Sequence, residues 1–357
     1  MSMAKMKMNE LKLNELKLTE LPPQNSATPW PTRNWPTGAA PQAPGFAAAV
    51  DAVWDLPDGA GATLALLVAH HGEIVCERYA DGVDATTALQ SWSMAKSITH
   101  ALAGLLVGDG VLDIDAPILA PEWQTPGDPR AAITARHLLD MRSGLSWVED
   151  YVDGSVSDVI PMLFGAGSAD VAHFAADKPL EHAPGSVFYY SSGTTNLLAR
   201  HLGRLVGGGA AGMAQFMAQR LFGPLGMSSA TPKFDDAGTF KGSSFCFCSA
   251  RDFARFGHLF LRDGLWEGRR LLPPGWVDYA RTMTFREPVD KHGHYGAHWW
   301  IADDGQTFYA SGYETQRIIV APAHDAIVVR LGNTPAAFGA LVGDRVLALL
   351  DALPDSA

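Results

Sequence analysis

Strand-like segments lie near the two ends of the chain, and the middle of the chain is helical. The stretch ATLALLVAHHGEIVCERYADG at 62–82 predicts two strands around an HHGE turn. After residue 240, the segments AHWWIADD, QTFYASG, QRIIVAPAHD and AIVVRLGN predict strands separated by turns. Between about 111 and 235, short helical runs alternate with Gly/Pro loops. This order predicts one α/β domain whose antiparallel sheet combines N- and C-terminal segments, is flanked by helices and carries a helical insertion.

The composition is that of a large folded domain. The chain has 357 residues, 47% of them hydrophobic, which is enough to bury a sizeable core. Its net charge of -11 argues against nucleic acid, because phosphate contacts require clustered Lys and Arg. Apolar runs such as TLALLVA at 63–69 are far shorter than the roughly 20 residues that a membrane-spanning helix needs. We therefore expect neither a nucleic-acid nor a membrane partner, and leave open whether the chain forms a homodimer.

The first 45 residues differ in composition from the rest of the chain. They contain an imperfect NELKL repeat and the Pro/Trp-rich stretch PWPTRNWPTGAAPQAPG, and neither has the apolar periodicity of a core element. We predict a flexible N-terminal extension at 1–45 and a single folded domain at 46–357. The α/β part of that domain is expected at about 46–110 and 240–357, and the helical part at about 111–239.

The cellular compartment is predicted from the N-terminus and the cysteines. The N-terminal lysines alternate with apolar residues, so there is no apolar core of a secretory signal. Cys76, Cys246 and Cys248 cannot all pair, and the CFC spacing is too short for an ordinary disulfide. Reduced thiols and a cytoplasmic protein are the expectation.

The tetrapeptide SMAK occurs at residues 2–5 and again at 93–96. The first copy falls in the predicted extension, where nothing would hold a nucleophile against a base, so we interpret it as a coincidence. The second copy opens the apolar helix SWSMAKSITHALAGLLVGDG. A Ser three residues before a Lys shares one helix face with it, and burial would lower the pKa of the lysine. Ser93 and Lys96 are therefore candidates for a nucleophile and its base. Taken alone, this motif fits an N-cap serine and a surface lysine equally well, and only its combination with the second motif favours the catalytic interpretation.

A second motif lies in HAPGSVFYYSSGTTNLLARHLG at 182–203, where Tyr190 and Ser192 have Tyr-x-Ser spacing. This stretch resembles the penicillin-recognising serine hydrolases, the superfamily of class C β-lactamases, D-Ala-D-Ala carboxypeptidases and related esterases. The resemblance implies a β-lactamase/transpeptidase-like fold. It also implies that Tyr190 acts with Lys96 as general base and acid. The spacing selects Tyr190 over its neighbour Tyr189.

Within that superfamily the chain is most similar to the 6-aminohexanoate-dimer hydrolases and their carboxylesterase relatives. The stretches MRSGLSWVEDYVDG, CSARDFARFGHLFLRDG and HWWI carry this resemblance, which runs from about residue 30 to the end. It implies that Tyr151, in the EDYVD loop, helps to hold the amide or leaving group of the substrate.

The third motif of the superfamily is Lys-Thr-Gly or His-x-Gly, and its nearest equivalent here is Ala310-Ser311-Gly312. The cation with which the family recognises a substrate carboxylate is missing, which argues against β-lactamase and carboxypeptidase activity. The resemblance implies that the residue after Gly312, which is Tyr313, offers the second backbone N–H for the oxyanion.

Other sequence patterns that might suggest a different function lack the structural context which that function requires. GGGAAG at 207–212 matches G-x-G-x-x-G but follows a helix, so we interpret it as a loop and not as a dinucleotide site. His292, His294 and His298 form a cluster that we expect to be solvated loop histidines. No G-x-S-x-G occurs, which removes the nucleophile elbow of the α/β-hydrolases.

The sequence therefore predicts a serine hydrolase that cleaves carboxylic esters or small linear amides through an acyl-enzyme on Ser93. Lys96 and Tyr190 exchange the protons, Ser192 orients Lys96, and the N–H groups of Ser93 and Tyr313 bind the oxyanion. No metal or organic cofactor is needed. The alternatives are a 6-aminohexanoate-oligomer-type amidase, a β-lactamase, a D-amino-acid peptidase, or a catalytically silent binding protein of the same fold.

Overall fold

The computed structural model describes residues 17–43, 45–151, 154–284 and 294–353. The strands within these residues are β1 (Thr63–His70), β2 (Glu73–Tyr79), β3 (Leu89–Gln90), β4 (Thr231–Pro232), β5 (Cys246–Cys248), β6 (Leu265–Trp266), β7 (Arg269–Arg270), β8 (His294–Tyr295), β9 (Trp300–Ile301), β10 (Phe308–Gly312), β11 (Gln316–Ala321) and β12 (Ala326–Gly332).

One antiparallel sheet joins the two ends of the chain. Its strand order is β2-β1-β12-β11-β10-β9-β8, and β1 pairs with β12 from Thr63 opposite Gly332 to His70 opposite Ala326. The predicted hairpin of β1 and β2 is present, as is the sheet built from N- and C-terminal segments. The sequence reading missed a small sheet, β3-β5-β4, and the hairpin of β6 and β7.

The α-helices of the described residues are α1 (Phe46–Trp54), α2 (Ala95–Gly108), α3 (Ala135–Leu139), α4 (Val159–Phe164), α5 (Val171–Ala176), α6 (Ser192–Val206), α7 (Gly209–Met217), α8 (Gly223–Leu225), α9 (Ala250–Leu261), α10 (Trp276–Arg281) and α11 (Gly339–Asp351). Helices α3 to α8 form the inserted helical part. The GGGAAG stretch, predicted as a loop, instead runs into α7, because Gly209 already begins that helix.

The two faces of the sheet are covered by different helices, since side chains alternate along a strand. Ile318 and Val320 of β11 belong to the core that contains α2 and α9, whereas Ile319 packs into the core of α1 and α11. Helix α2 lies within the first core, between the sheet and the helical part, and every residue from Ala95 to Leu106 is buried. Most of these buried residues are apolar, as expected of a helix in a central position, but Lys96, Ser97, Thr99 and His100 are buried with them.

Part of the predicted N-terminal extension is ordered against the domain, so the expectation of flexibility does not hold for residues 17–43. Trp35 is only 6% exposed, and the Arg255 guanidinium lies 5.6 Å from its ring centroid. Arg262 donates through Nε to Gln24 Oε1 at 2.9 Å. The contacts come from single Trp and Gln side chains, and the sequence around them has neither helical nor strand periodicity. The packing of this segment could therefore not be predicted from periodicity. Residues 1–16, including the first SMAK copy, lie outside the described residues.

The three cysteines carry free thiols, as expected. Cys76 is half-buried on β2, whereas Cys246 and Cys248 are buried with their Sγ atoms 3.9 Å apart. No helix in the described part of the chain combines the length and apolar character needed to cross a membrane.

Candidate active site

The predicted nucleophile lies on a constrained turn at the start of α2. Ser93 belongs to a 3₁₀ turn, Trp92–Met94, and α2 begins two residues later at Ala95. Trp92 has a left-handed φ of 44°, which is costly for a bulky residue. Ser91 anchors the turn to β5, because its N–H donates to Cys246 O at 3.1 Å and its Oγ accepts from Cys246 N at 3.0 Å. Ser93 is therefore held at a fixed place beside the core.

Lys96 lies one helical turn further and is only 2% exposed. Its Nζ lies 3.0 Å from Ser93 Oγ, 2.9 Å from Ser192 Oγ and 3.0 Å from Ser243 O. Burial lowers the pKa of this lysine to about 8, against the opposing effect of the nearby Glu149 charge. A substantial fraction of Lys96 is therefore neutral near pH 8, which is the form that can accept a proton.

The structure brings Tyr190 to the same place. The centroid of its ring lies 4.8 Å from Lys96 Nζ, and its ring packs against those of Trp300 and Tyr295, with centroid distances of 5.5 Å and 5.9 Å. Tyr189, the neighbour that the motif spacing rejects, is 50% exposed. Ser93, Lys96, Tyr190 and Ser192 thus form one cluster, as the motifs predict.

Ser192 connects Lys96 to a carboxylate that sequence reasoning missed. Ser192 is the first residue of α6, and its Oγ lies 2.5 Å from Glu149 Oε1. The backbone N–H of Ser192 also donates to Glu149, to Oε2 at 2.8 Å. A carboxylate at a helix N-terminus is stabilised by the positive end of the helix dipole.

Tyr151 and Tyr313 lie side by side near this cluster. Their rings stack with centroids 5.0 Å apart, and Tyr151 donates its phenolic O–H to Glu149 Oε1 at 2.7 Å. Burial and the Glu149 charge hold the pKa of Tyr151 well above its usual value. Tyr151 is therefore a neutral hydrogen-bonding group, and its contact with a leaving group remains a prediction.

The end of β10 approaches the nucleophile turn closely because residue 312 is a glycine. A Cβ at Gly312 would lie 2.4 Å from Ser91 O and 3.1 Å from Trp92 Cβ, so a side chain could not fit without displacing the turn. The next residue, Tyr313, contacts Trp92 with ring centroids 5.5 Å apart. This places Tyr313 next to the turn, although its oxyanion role remains a prediction.

A cation does lie beside the third motif, but it comes from the neighbouring strand. Arg317 of β11 pairs with Ser311 of β10 and donates from Nη1 to Ser311 Oγ at 2.5 Å. Burial lowers the pKa of Arg317, and the nearby phenols of Tyr309 and Tyr190 oppose this shift. The sequence-based conclusion that the motif lacks a cation was therefore incomplete. The motif residues themselves do not show that an arginine lies opposite them on β11.

The expectation of solvated loop histidines is wrong for His298. This residue is 2% exposed, with Nδ1 2.8 Å from Leu139 O and Nε2 3.0 Å from Thr195 Oγ1. Because a carbonyl only accepts, Nδ1 carries the proton, and burial lowers the pKa of His298 to about 3. His292 lies outside the described residues, and within them no group of three His, Cys, Asp or Glu side chains could hold a metal ion.

Three residues of the site were not found from the sequence, namely Glu149, Ser243 and Arg317. Glu149 lies two residues before Tyr151 in the quoted EDYVD stretch, so its acidic side chain was the one available signal. Ser243 contributes a backbone carbonyl, and such a contact cannot be recognised from the type of residue. Arg317 becomes recognisable only when the register of β10 and β11 is known.

Comparisons with known proteins agree with this geometry. The β-lactamase family model matches residues 46–352. The 6-aminohexanoate-dimer hydrolase of Paenarthrobacter ureafaciens is 25% identical over 291 residues, which cover 76% of this chain and 73% of that protein.

Two solved structures share the fold. A proposed 6-aminohexanoate-dimer hydrolase from Bacillus anthracis superposes with a TM-score of 0.72 at 21% identity, covering 99% of this chain and 96% of that one. A penicillin-binding protein homologue from Caulobacter crescentus gives a TM-score of 0.64 at 20% identity, with coverages of 88% and 98%. The resemblance inferred from the motifs is thereby confirmed, and this chain belongs to the β-lactamase family of serine hydrolases.

Proposed function

We propose that this chain hydrolyses carboxylic esters or small linear amides through an acyl-enzyme on Ser93. The observation that carries the proposal is the contact of Ser93 Oγ with the buried amine of Lys96, at 3.0 Å, on a tethered turn. A lysine with a pKa of about 8 is suited to general base catalysis near neutral pH. A serine next to such a base is the usual arrangement of an activated nucleophile.

The chemical steps assign a role to each group of the cluster. Ser93 attacks the carbonyl carbon while Lys96 and Tyr190 take its proton and pass it to the leaving group. The backbone N–H groups of Ser93 and Tyr313 hold the oxyanion, and the close approach of Gly312 to the nucleophile turn supports that assignment. Water, activated by Tyr190, then releases the acyl group.

Small linear amides of the aminohexanoate type are the second candidate. One support is that the relative from Paenarthrobacter ureafaciens is a 6-aminohexanoate-dimer hydrolase. The other is the positive charge of Arg317 beside Ser311. A guanidinium beside the third motif could pair with a carboxylate on the substrate, as such groups do elsewhere. The free cysteines support the expectation of a reducing, cytoplasmic environment.

An aromatic cluster beside Ser93 favours apolar acyl groups. Trp92, Phe164 and Phe245 pack with ring centroids 6.0 to 6.5 Å apart, and Trp92 also contacts Tyr313. Phe164 is 56% exposed at the end of α4, and Ile160, one turn earlier, is 38% exposed. Such an exposed apolar strip next to a nucleophile is suited to binding the carbon chain of a substrate.

Phe164→Ala should weaken the binding of long acyl chains. We expect KM for p-nitrophenyl octanoate to rise about 5-fold, which corresponds to about 1 kcal/mol of lost apolar contact. KM for p-nitrophenyl acetate should stay near the wild-type value, because its acyl group is too short to reach the ring. Leu119→Ala is the matched control, since Leu119 is 62% exposed and lies near the far end of α6. An equal effect on both esters would contradict the proposed role of the aromatic cluster in binding the acyl chain.

The acyl-enzyme itself can be detected by mass spectrometry. Wild-type protein mixed with p-nitrophenyl butyrate and quenched in acid should gain the mass of one butyryl group, and peptide mapping should place it on Ser93. Ser93→Ala should neither gain the mass nor turn over the ester. If wild type and Ser93→Ala release p-nitrophenol at the same rate, the esterase proposal fails.

A further inference from the structure

Glu149 receives four hydrogen bonds, two from Ser192, one from Tyr151 and one from Trp147. Its Oε2 accepts from Trp147 Nε1 at 2.6 Å and from the backbone N–H of Ser192 at 2.8 Å. Its Oε1 accepts from Tyr151 at 2.7 Å and lies 2.5 Å from Ser192 Oγ. The indole and backbone N–H groups can only donate, so the set of partners fits a carboxylate that accepts on both oxygens.

This arrangement fixes the direction of the hydrogen bond between Ser192 and Lys96. A carboxylate accepts only, so Ser192 must donate its single hydroxyl proton to Glu149. Its Oγ can then only accept from Lys96 Nζ, 2.9 Å away. The carbonyl of Ser243, at 3.0 Å, likewise can only accept from Lys96. Two N–H bonds of Lys96 are therefore directed away from Ser93.

A neutral lysine amine has two N–H bonds and one lone pair. With both N–H bonds committed, the lone pair is left for the third neighbour, Ser93 Oγ, at 3.0 Å. We propose that Glu149 is a positioning residue, which acts through Ser192 to keep the lone pair of Lys96 directed at the Ser93 hydroxyl. This inference rests on the proposed function and deepens it.

The proton balance of the step is simple. The Ser93 proton moves to the Lys96 lone pair and forms an ammonium group, while the electron pair of Ser93 Oγ forms the bond to the carbonyl carbon. The carbonyl π pair moves onto its oxygen. Without Glu149, the Ser192 hydroxyl could rotate and donate into the Lys96 lone pair. Lys96 would then present an N–H to Ser93 and could not take its proton.

The charge of Glu149 also affects the titration of Lys96. The titratable groups near Lys96 are Glu149, Tyr190 and His298. Burial lowers the pKa of His298 to about 3, so this histidine is neutral. A nearby negative charge favours the ammonium form and so raises the pKa of Lys96. Removing that charge should therefore move the acidic limb of the pH–rate profile to lower pH.

Glu149→Gln tests the proposal. Trp147 Nε1 and the Ser192 N–H can only donate, so they hold the Gln carbonyl oxygen, and the NH₂ group that then faces Ser192 Oγ cannot accept. We expect kcat for p-nitrophenyl butyrate to fall about 100-fold, in line with a misdirected catalytic group, while KM stays within about 3-fold of wild type. The acidic limb should also move to lower pH. The matched comparison is Ser192→Ala, which removes the hydroxyl that Glu149 orients.

The double variant Glu149→Gln/Ser192→Ala separates positioning from a structural role. Because Glu149 acts through Ser192, the double variant should be no slower than Ser192→Ala by more than about 3-fold. Losses that multiply, or a wild-type kcat in Glu149→Gln, would overturn the proposal. If Glu149→Gln does not fold by circular dichroism, Glu149→Asp, which keeps the charge but shortens the reach, is compared in the same way. Failure of wild type to form the Ser93 adduct would instead refute the proposed function.

Discussion

Lys96→Met should lower kcat/KM for p-nitrophenyl butyrate by about 10³-fold, because the variant keeps the volume of the side chain and removes the general base. The Lys96 amine contacts Ser93, Ser192 and Ser243 inside the core, and methionine can replace none of these hydrogen bonds. Ser93 should remain in place on its tethered turn, so KM should change little. Steady-state kinetics with an active-site titration measures both quantities.

The pH dependence of kcat/KM tests whether the neutral amine of Lys96 is the base. In the wild type the neutral amine is the base, so kcat/KM should rise with pH through about 8, the pKa of Lys96, and level off above it. Lys96→Met should lose this acidic limb. Lys233→Met, at an exposed lysine, is the control and should keep the wild-type profile. A wild-type limb centred near pH 6 would show that another group is the base.

Tyr190→Phe should lower kcat/KM by about 100-fold, because the ring packing is kept and the phenolic proton is lost. The rings of Trp300 and Tyr295 hold Tyr190 in position, so the variant should fold with a nearly unchanged Tm. Ester and amide substrates provide a further distinction. The poorer leaving group of an amide needs the proton more, so the loss should be larger with an anilide than with a p-nitrophenyl ester.

The chain contains a matched control at the preceding position. Tyr189→Phe removes the same atom from a side chain that is 50% exposed, and its kcat/KM should stay within about 2-fold of wild type. Equal losses in Tyr189→Phe and Tyr190→Phe would contradict the role given to Tyr190.

The elements of the site that the sequence predicts are those with a local pattern. Ser93 and Lys96 are recognisable because helical spacing places them on one face, and Tyr190 because it precedes a helix that begins with Ser192. The sheet was predictable for a similar reason, since its longer strands are apolar runs bounded by turn residues. Each of these signals lies within about 20 residues of sequence.

The elements that escaped prediction depend on contacts that local sequence patterns do not show. Glu149 reaches Ser192 across 43 positions, and Arg317 reaches Ser311 only through the pairing of β10 with β11. Trp35 is buried against the domain although nothing around it is periodic. The buried His298 is hydrogen-bonded to Leu139 and Thr195, which lie 159 and 103 positions away in the chain.

The position of β1 in the sheet has a consequence for biosynthesis. One edge of β1 pairs with β2, which follows it directly, and the other edge pairs with β12, near the end of the chain. At ribosomal rates of about 5–20 residues per second, the second edge remains unpaired on the order of tens of seconds after β1 is made. All but one residue of TLALLVAH are buried in the finished fold, and such an unpaired apolar edge favours aggregation. A nascent chain interrupted before β12 would already contain both Ser93 and Lys96, and yet lack the strand that closes the sheet beside β1.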